Sequence, residues 1–231
     1  MNNLEEMKII AHIHTDFGGK FGVPRQSGLV PELRGEIVFE PDYRAPDAVR
    51  GLDGYSHIWL IWEFSENLRQ GWSPTVRPPR LGGNTRMGVF ATRSPFRPNP
   101  IGLSCVALEK VDITQERGPV LHVRGADLVD GTPIFDIKPY VPYADSHPDA
   151  VGGFAGTAPE VLLEVVIPEA LATSLLVEKL AVLREVLAHD PRPSYQDDPE
   201  REYGLSFAGR NVRFRVEGSR LTVTEISPEM C

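Results

Sequence analysis

Residues 56–64, Ser56-His57-Ile58-Trp59-Leu60-Ile61-Trp62-Glu63-Phe64, decide the fold. The run is too short for a helix and too rich in β-branched and aromatic residues, so it reads as a buried strand and as the core strand of the molecule. His57, near its start, is expected to be a packed core histidine and not a catalyst. Upstream, residues 7–14 alternate loosely as a first strand and run into a glycine turn, Asp16-Phe17-Gly18-Gly19-Lys20-Phe21-Gly22, and residues 35–39 read as a second strand. A short helix is expected over residues 45–52, because Pro46 suits a first helical position and Gly51 and Gly54 stop it.

Downstream, strands are expected over residues 87–91, 103–113, 120–125, 134–142 and 160–167. An acidic turn, Asp127-Leu128-Val129-Asp130-Gly131-Thr132-Pro133, interrupts them, and its Asp-Gly is the strongest turn dipeptide in the chain. Asp136 and Lys138 alternate and so share one strand face. Many short strands with almost no helix between them argue for a mainly β fold, a single-sheeted antiparallel β-barrel that is not of the Rossmann kind. Residues 144–159 turn to Gly, Ala, Asp, Ser and Pro and read as a linker. Beyond it, Leu171, Leu175, Leu180, Leu183, Val186 and Leu187 recur at helical spacing, which predicts one amphipathic helix over 168–189. Asp190-Pro191-Arg192-Pro193 breaks it, and residues 203–207, 212–216 and 221–226 predict a three-stranded meander. The expected domains are therefore a barrel over residues 1–150 and a small α+β C-terminal domain over 151–231.

Function points to the stretch Val76 to Gly102, VRPPRLGGNTRMGVFATRSPFRPNPIG. It holds five arginines, five prolines and four glycines, with no lysine, aspartate or glutamate. Arginine without lysine suits planar, bidentate recognition of phosphate or carboxylate and stacking on bases. The prolines stiffen the loops that carry it. The chain as a whole has a net charge of −8, so with +5 in this stretch the remainder carries −13. A general nucleic-acid coat would make the domain basic, so the pattern fits a small anionic ligand or one defined place on a nucleic acid.

Other chemistries lack their signatures. Gly18, Gly19 and Lys20 miss the Walker spacing, and no Ser or Thr follows the lysine. His12 and His14 share a strand face but have no third ligand at a telling spacing, so no metal is expected. No Gly-rich Rossmann fingerprint occurs, so a nucleotide-like cofactor would have to sit in loops. Cys105 and Cys231 make no disulfide framework, no run is long and apolar enough for a membrane helix, and the early N-terminus lacks a signal-peptide core, all of which lead to an expected cytoplasmic location. Hydrolysis by His57 with Asp53 has no recognisable nucleophile beside it. A non-catalytic β-barrel that binds a nucleotide or RNA as a sensor stands as the alternative to an enzyme.

Longer blocks carry a specific resemblance. KFGVPRQSGLV, AVRGLDGYSHIWLIWEF, PTVRPPRLGGNTRMGVFATRSPFRPNPIGLS and DLVDGTPIFDIKPYVPYADS resemble the signature blocks of the bacterial tRNA adenine-37 N6-methyltransferase family, called TrmO or YaeB, of the TsaA-like class. DPRPSYQ and NVRFRV resemble its C-terminal region. The resemblance implies a homodimeric barrel that uses S-adenosyl-L-methionine to methylate N6 of threonylcarbamoyladenosine 37, in the anticodon loop of threonine tRNA. Carried over by position, it implies a cofactor lined by Pro24, Arg25 and Gln26, by Ser65 and Glu66, by Arg93 and Leu103, and by Asp130, Gly131, Thr132 and Pro133. Where many members read Phe-His-Gln, this chain has Phe64-Ser65-Glu66, so a histidine contact is absent or replaced.

The ligand's chemistry assigns roles. The cofactor's carboxylate wants an arginine, its sulfonium wants carbonyls or carboxylates, and its adenine wants an edge-reading amide, so Arg93, Asp130 and Gln26 could serve in turn. Asp130 and Asp136 are the candidate catalytic carboxylates for accepting an N6 proton. Arg77, Arg80, Arg86 and Arg97, with Arg192, Tyr195, Arg213 and Arg215 of the C-terminal domain, are the candidate RNA contacts.

Overall fold

The computed structural model describes residues 7–156, 162–192 and 198–229. Its first half is built from β1 (Ala11–Thr15), β2 (Arg34–Phe39) and β3 (His57–Glu63), then β4 (Thr75–Val76) and β5 (Met87–Gly88), then β6 (Ile101–Thr114), β7 (Gly118–Arg124) and β8 (Thr132–Pro139). Six of these close into an antiparallel barrel in the order β1-β2-β7-β6-β3-β8, while β4 and β5 pair with each other in a ribbon outside it. Alternation explains the closure. Ala11 and Ile13, Ile37 and Phe39, Ile58, Leu60 and Trp62, Val106, Leu121 and Val123, and Ile134 all point inward and form one core, as period-two side chains must when one face of a sheet is buried.

β3 is central as expected, paired with β6 on one side and β8 on the other. It is not buried on both faces, however. His57 is exposed, not packed in the core, and hydrogen-bonds Ser56. Trp59, also outward, is half-buried because its indole N–H donates to Asp145 at 3.0 Å and its ring tilts against Tyr140. Two further local expectations change. The helix over 45–52 breaks into two 3-10 turns, Pro46–Val49 and Leu52–Gly54, and the strand over 87–91 ends at Gly88 before a 3-10 turn, Val89–Ala91.

After α1 (Pro142–Asp145), the second module comprises β9 (Glu164–Val166), α2 (Glu169–Ala172), α3 (Val177–Ala188), β10 (Tyr203–Phe207), β11 (Arg210–Glu217) and β12 (Arg220–Pro228). The meander gains a fourth strand, because β9 pairs parallel to β12 and gives the order β10-β11-β12-β9. The single helix over 168–189 is two helices. Thr173 donates to the carbonyl of Ala170, and Leu176 is extended (φ −61°, ψ 146°), so the chain turns between α2 and α3. Leu183, Val186 and Leu187 of α3 are buried against the sheet.

The second core is not made by the second module alone. Phe17, Val30 and Leu33, from the connection between β1 and β2, are buried in it with Phe207, Phe214 and Leu187, and Phe21 and Val23 pack at its edge. Phe17 meets Phe207 edge to face at 5.4 Å between ring centroids. The Asp16 carboxylate pairs with Lys179 of α3 at 2.5 Å. This connection therefore belongs to the barrel by sequence and to the C-terminal module by packing.

Candidate functional site

One end of the barrel opens into a cavity of about 430 Å³. Four segments build its wall: Pro24, Arg25 and Gln26 of the β1–β2 connection; Trp62 to Glu66 at the end of β3; Thr92, Arg93 and Arg97 of the arginine-rich loop with Gly102 and Leu103 of β6; and Asp127, Leu128 and Val129 before β8 with Thr132 at its start. Convergence of loops at a barrel mouth is where a ligand site is expected.

Gly102 sits opposite Trp62 in the β3–β6 ladder. A Cβ there would lie 2.2 Å from the Trp62 ring, so only glycine lets the indole lie across the strand. The indole is fixed further by Phe64, 4.4 Å away between centroids, and by a hydrogen bond from its N–H to Ser104 at 3.0 Å. Ser104 in turn donates to Asp127 Oδ1 at 2.6 Å. Burial pushes the Asp127 carboxyl above its usual pKa range, while the Ser104 hydroxyl, the backbone N–H groups of Asp127 and Ser27, and the positive charge of Arg93 pull the other way.

In the same cavity, Arg93 hydrogen-bonds the side-chain carbonyl of Gln26, which ties the arginine-rich loop to the β1–β2 connection. Arg25 donates to the backbone carbonyl of Arg192 at 3.1 Å, anchoring the same connection in the C-terminal module. Arg97 shapes its own loop: its guanidinium donates to the carbonyls of Thr92 and Val89 and lies 5.8 Å from the Phe90 ring centre.

The residues named from the sequence are thus partly assembled. Pro24, Arg25, Gln26, Ser65, Glu66, Arg93, Leu103 and Thr132 share the cavity. Gly131 and Pro133 stand just outside its wall: Gly131 has φ 74° and its N–H donates to the carbonyl of Ile13, and Pro133 pairs with His12 in the β1–β8 ladder. Neither catalytic candidate lines it. The Asp130 carboxylate turns to His14 at 3.2 Å and to the N–H of Thr15 at 3.0 Å, so it fastens the turn to β1. Asp136 pairs with Lys138 at 2.8 Å on the outer face. The acids in the wall are Asp127, Glu63 and Glu66. In the sequence Asp127 is one of two acids in the turn, and nothing local sets it apart from Asp130; bonds from Ser104 and from the backbone N–H groups of Asp127 and Ser27 hold its carboxylate in the cavity wall.

The arginines divide as well. Arg77, Arg80 and Arg86 are exposed on the loop between β4 and β5, and so are Trp72 (57%), just before β4, and Phe90 (75%), just after β5. Among the described residues no carboxylate lies within ion-pair distance of Arg77 or Arg86. Arg213 pairs with Glu202 at 3.2 Å and Glu225 at 3.6 Å, and Arg215 with Glu202 at 3.9 Å. Arg192 is 8% exposed and holds Asp190 through two bonds of 2.9 Å. Tyr195 lies outside the described residues. Among the described residues, no group of three or more His, Cys, Asp or Glu is placed to hold a metal, and no helix is long and apolar enough to cross a membrane.

The cavity suits a ligand that carries both charges on an apolar body: Arg93 and Asp127 stand on different walls, and Trp62, Phe64, Leu103 and Leu128 supply the apolar surface. Comparison with known proteins gives this chemistry a setting. The tRNA-methyltransferase O N-terminal domain model matches residues 12–146, and the TrmO C-terminal domain model matches residues 161–229. The chain is 45% identical over 227 residues to the tRNA (adenine(37)-N6)-methyltransferase of Escherichia coli K12, covering 95% of this chain and 96% of that one. It is 49% identical over 163 residues to the enzyme of the same name from Eikenella corrodens, covering 71% of this chain and 92% of that one. A crystal structure of TrmO from Pseudomonas aeruginosa superposes with a TM-score of 0.75 at 33% identity, over 96% of this chain and 98% of that one.

Proposed function

Because the chain belongs to the tRNA-methyltransferase O family, we propose that it transfers a methyl group from S-adenosylmethionine to N6 of adenosine 37 in tRNA. The observation that carries this reading is the cavity in which Gln26, Arg93 and Leu103 meet Asp127 beneath an arginine-rich loop. The finer substrate, threonylcarbamoyladenosine in threonine tRNA, follows the family resemblance, and so do the homodimer and the cytoplasmic location. Residues 1–150 then act as the cofactor domain and 151–231 as its partner in tRNA binding.

When bound, S-adenosylmethionine supplies an electrophilic methyl group on a positively charged sulfur. Adenine N6 is a weak nucleophile because its lone pair is shared with the ring, so the protein's main contribution is alignment, worth about 7 kcal/mol or more in good cases. Arg93 offers a guanidinium to a carboxylate, held in place by Gln26. Gly102 lets the Trp62 ring form one wall, and Leu103 and Leu128 give another an apolar surface. Arg77, Arg80 and Arg86, with Trp72 and Phe90, offer phosphate contacts and stacking faces for a splayed anticodon loop.

Incubation with labelled S-adenosylmethionine and threonine tRNA, bearing or lacking the threonylcarbamoyl group, tests the reading. Label is expected on N6 of adenosine 37 and only in the modified tRNA. A protein that binds the donor yet labels neither tRNA would overturn the enzyme reading in favour of a sensor.

A further inference from the structure

We propose that Asp127 is the residue by which the cavity recognises the positive charge of the methyl donor, and so distinguishes the charged donor from its neutral thioether product. The inference rests on the donor reading above and assigns the specificity of that site to one carboxylate.

The geometry around Asp127 is directional. Trp62 N–H can only donate, so the Ser104 oxygen accepts from it at 3.0 Å and must place its own single hydrogen on Asp127 Oδ1, 2.6 Å away. Ser104 is 1% exposed and Trp62 8%, so this chain of donors is set in the barrel core and cannot swing away. The carboxylate is therefore held as an acceptor at the cavity wall by neutral groups: a hydroxyl and backbone N–H groups.

What it lacks is a cation. Among the described residues no lysine, arginine or histidine lies within ion-pair distance of Asp127. Arg93 acts on it only at longer range, and its guanidinium is engaged with Gln26. A partly desolvated carboxylate without a counter-charge is unfavourable, and the unfavourable state is relieved when a cation enters beside it. The other charged groups of the wall are Lys20, Arg25, Glu63, Glu66, Arg93 and Arg97. Neither glutamate is fixed by hydrogen bonds running out from the core as Asp127 is. Methyl transfer removes the ligand's positive charge at sulfur, since the carbon–sulfur bond breaks and its electron pair stays on sulfur. Asp127 is then again without a counter-charge, which favours exchange of product for fresh donor.

Titration calorimetry on the full chain tests this without turnover, using S-adenosylmethionine and S-adenosylhomocysteine. Asp127→Asn is expected to weaken the charged donor about tenfold or more while changing the neutral thioether less than about threefold. Equal weakening of both ligands, or no change in either, overturns the proposal. Should the variant fail to fold, the wild type decides: near the foot of the Asp127 titration, donor binding should release a proton, seen as a buffer-dependent enthalpy, and thioether binding should not. Equal proton release for both ligands sinks the idea. A wild-type protein that binds neither ligand removes the donor reading itself, and this inference with it.

Discussion

At Gly102 the space for a side chain is already taken by the Trp62 ring, which cannot retreat because Phe64 and Ser104 hold its other side. Gly102→Ala should therefore destabilise the protein by about 1–3 kcal/mol through overpacking and weaken donor binding as the indole is displaced; denaturant unfolding and calorimetry measure the two effects. Asp127 makes the opposite kind of prediction. Its folded pKa is raised, so the folded state binds the proton more tightly than the unfolded chain. Stability without ligand should fall as pH rises from the ordinary carboxylate range through the raised value, and stay lower above it. Asp127→Asn removes that dependence, so melting curves of wild type and variant should converge in acid and diverge in the variant's favour toward neutral pH. A wild type that stays the more stable at neutral pH would contradict this account of Asp127.

At the level of elements, the β1–β2 connection is the unexpected piece. Pro24, Arg25 and Gln26 reach the cavity, yet Phe17, Val30 and Leu33 on either side of them are buried against α3 and the second sheet. Leu187→Ala in α3, at 0% exposure, should cost about 2–5 kcal/mol, and should weaken donor binding although Leu187 touches no ligand. Unchanged donor affinity in a folded Leu187→Ala protein would separate the connection from the module. The arginine loop behaves differently, because Arg77 and Arg86 are exposed and have no acidic partner among the described residues. Replacing either by Ala should leave stability unchanged and weaken tRNA binding, with the slope of log K against log salt reduced by about 0.7 for each phosphate no longer neutralised. Arg192→Ala should instead lower stability, because Arg192 holds the Asp190 carboxylate from a buried position.

For the whole molecule, two cores share one connecting segment, so the modules are not independent beads. A chain ending near residue 156 would keep all six barrel strands and still expose Phe17, Val30 and Leu33. Such a fragment should be aggregation-prone and should bind the donor weakly; a monodisperse fragment with full donor affinity would show that the barrel organises its cavity alone. The sharing also gives the C-terminal module a physical route to the cofactor site, through Lys179 to Asp16 and through the Arg192 carbonyl to Arg25.

The sequence by itself determined the strands of the barrel, because alternation at residues such as Ile58, Leu60 and Trp62 is a local signal that burial of one sheet face imposes. It also determined the arginine-rich loop and the turn at Asp130 and Gly131, since glycine and proline fix backbone choices residue by residue. The break between α2 and α3 leaves no mark in the apolar period, which runs on through Leu171 and Leu175 while the Thr173 hydroxyl competes for the backbone. Only the tertiary structure decided which acids and arginines are available to a ligand. Asp127 and Asp130 belong to one turn, but one is aimed by Ser104 of β6 and the other is held by His14 of β1. Arg213 and Arg215 look as free as Arg77 until distant Glu202 is brought beside them. Charge pairing and cavity lining depend on contacts between residues far apart in the chain, and no local pattern encodes those contacts.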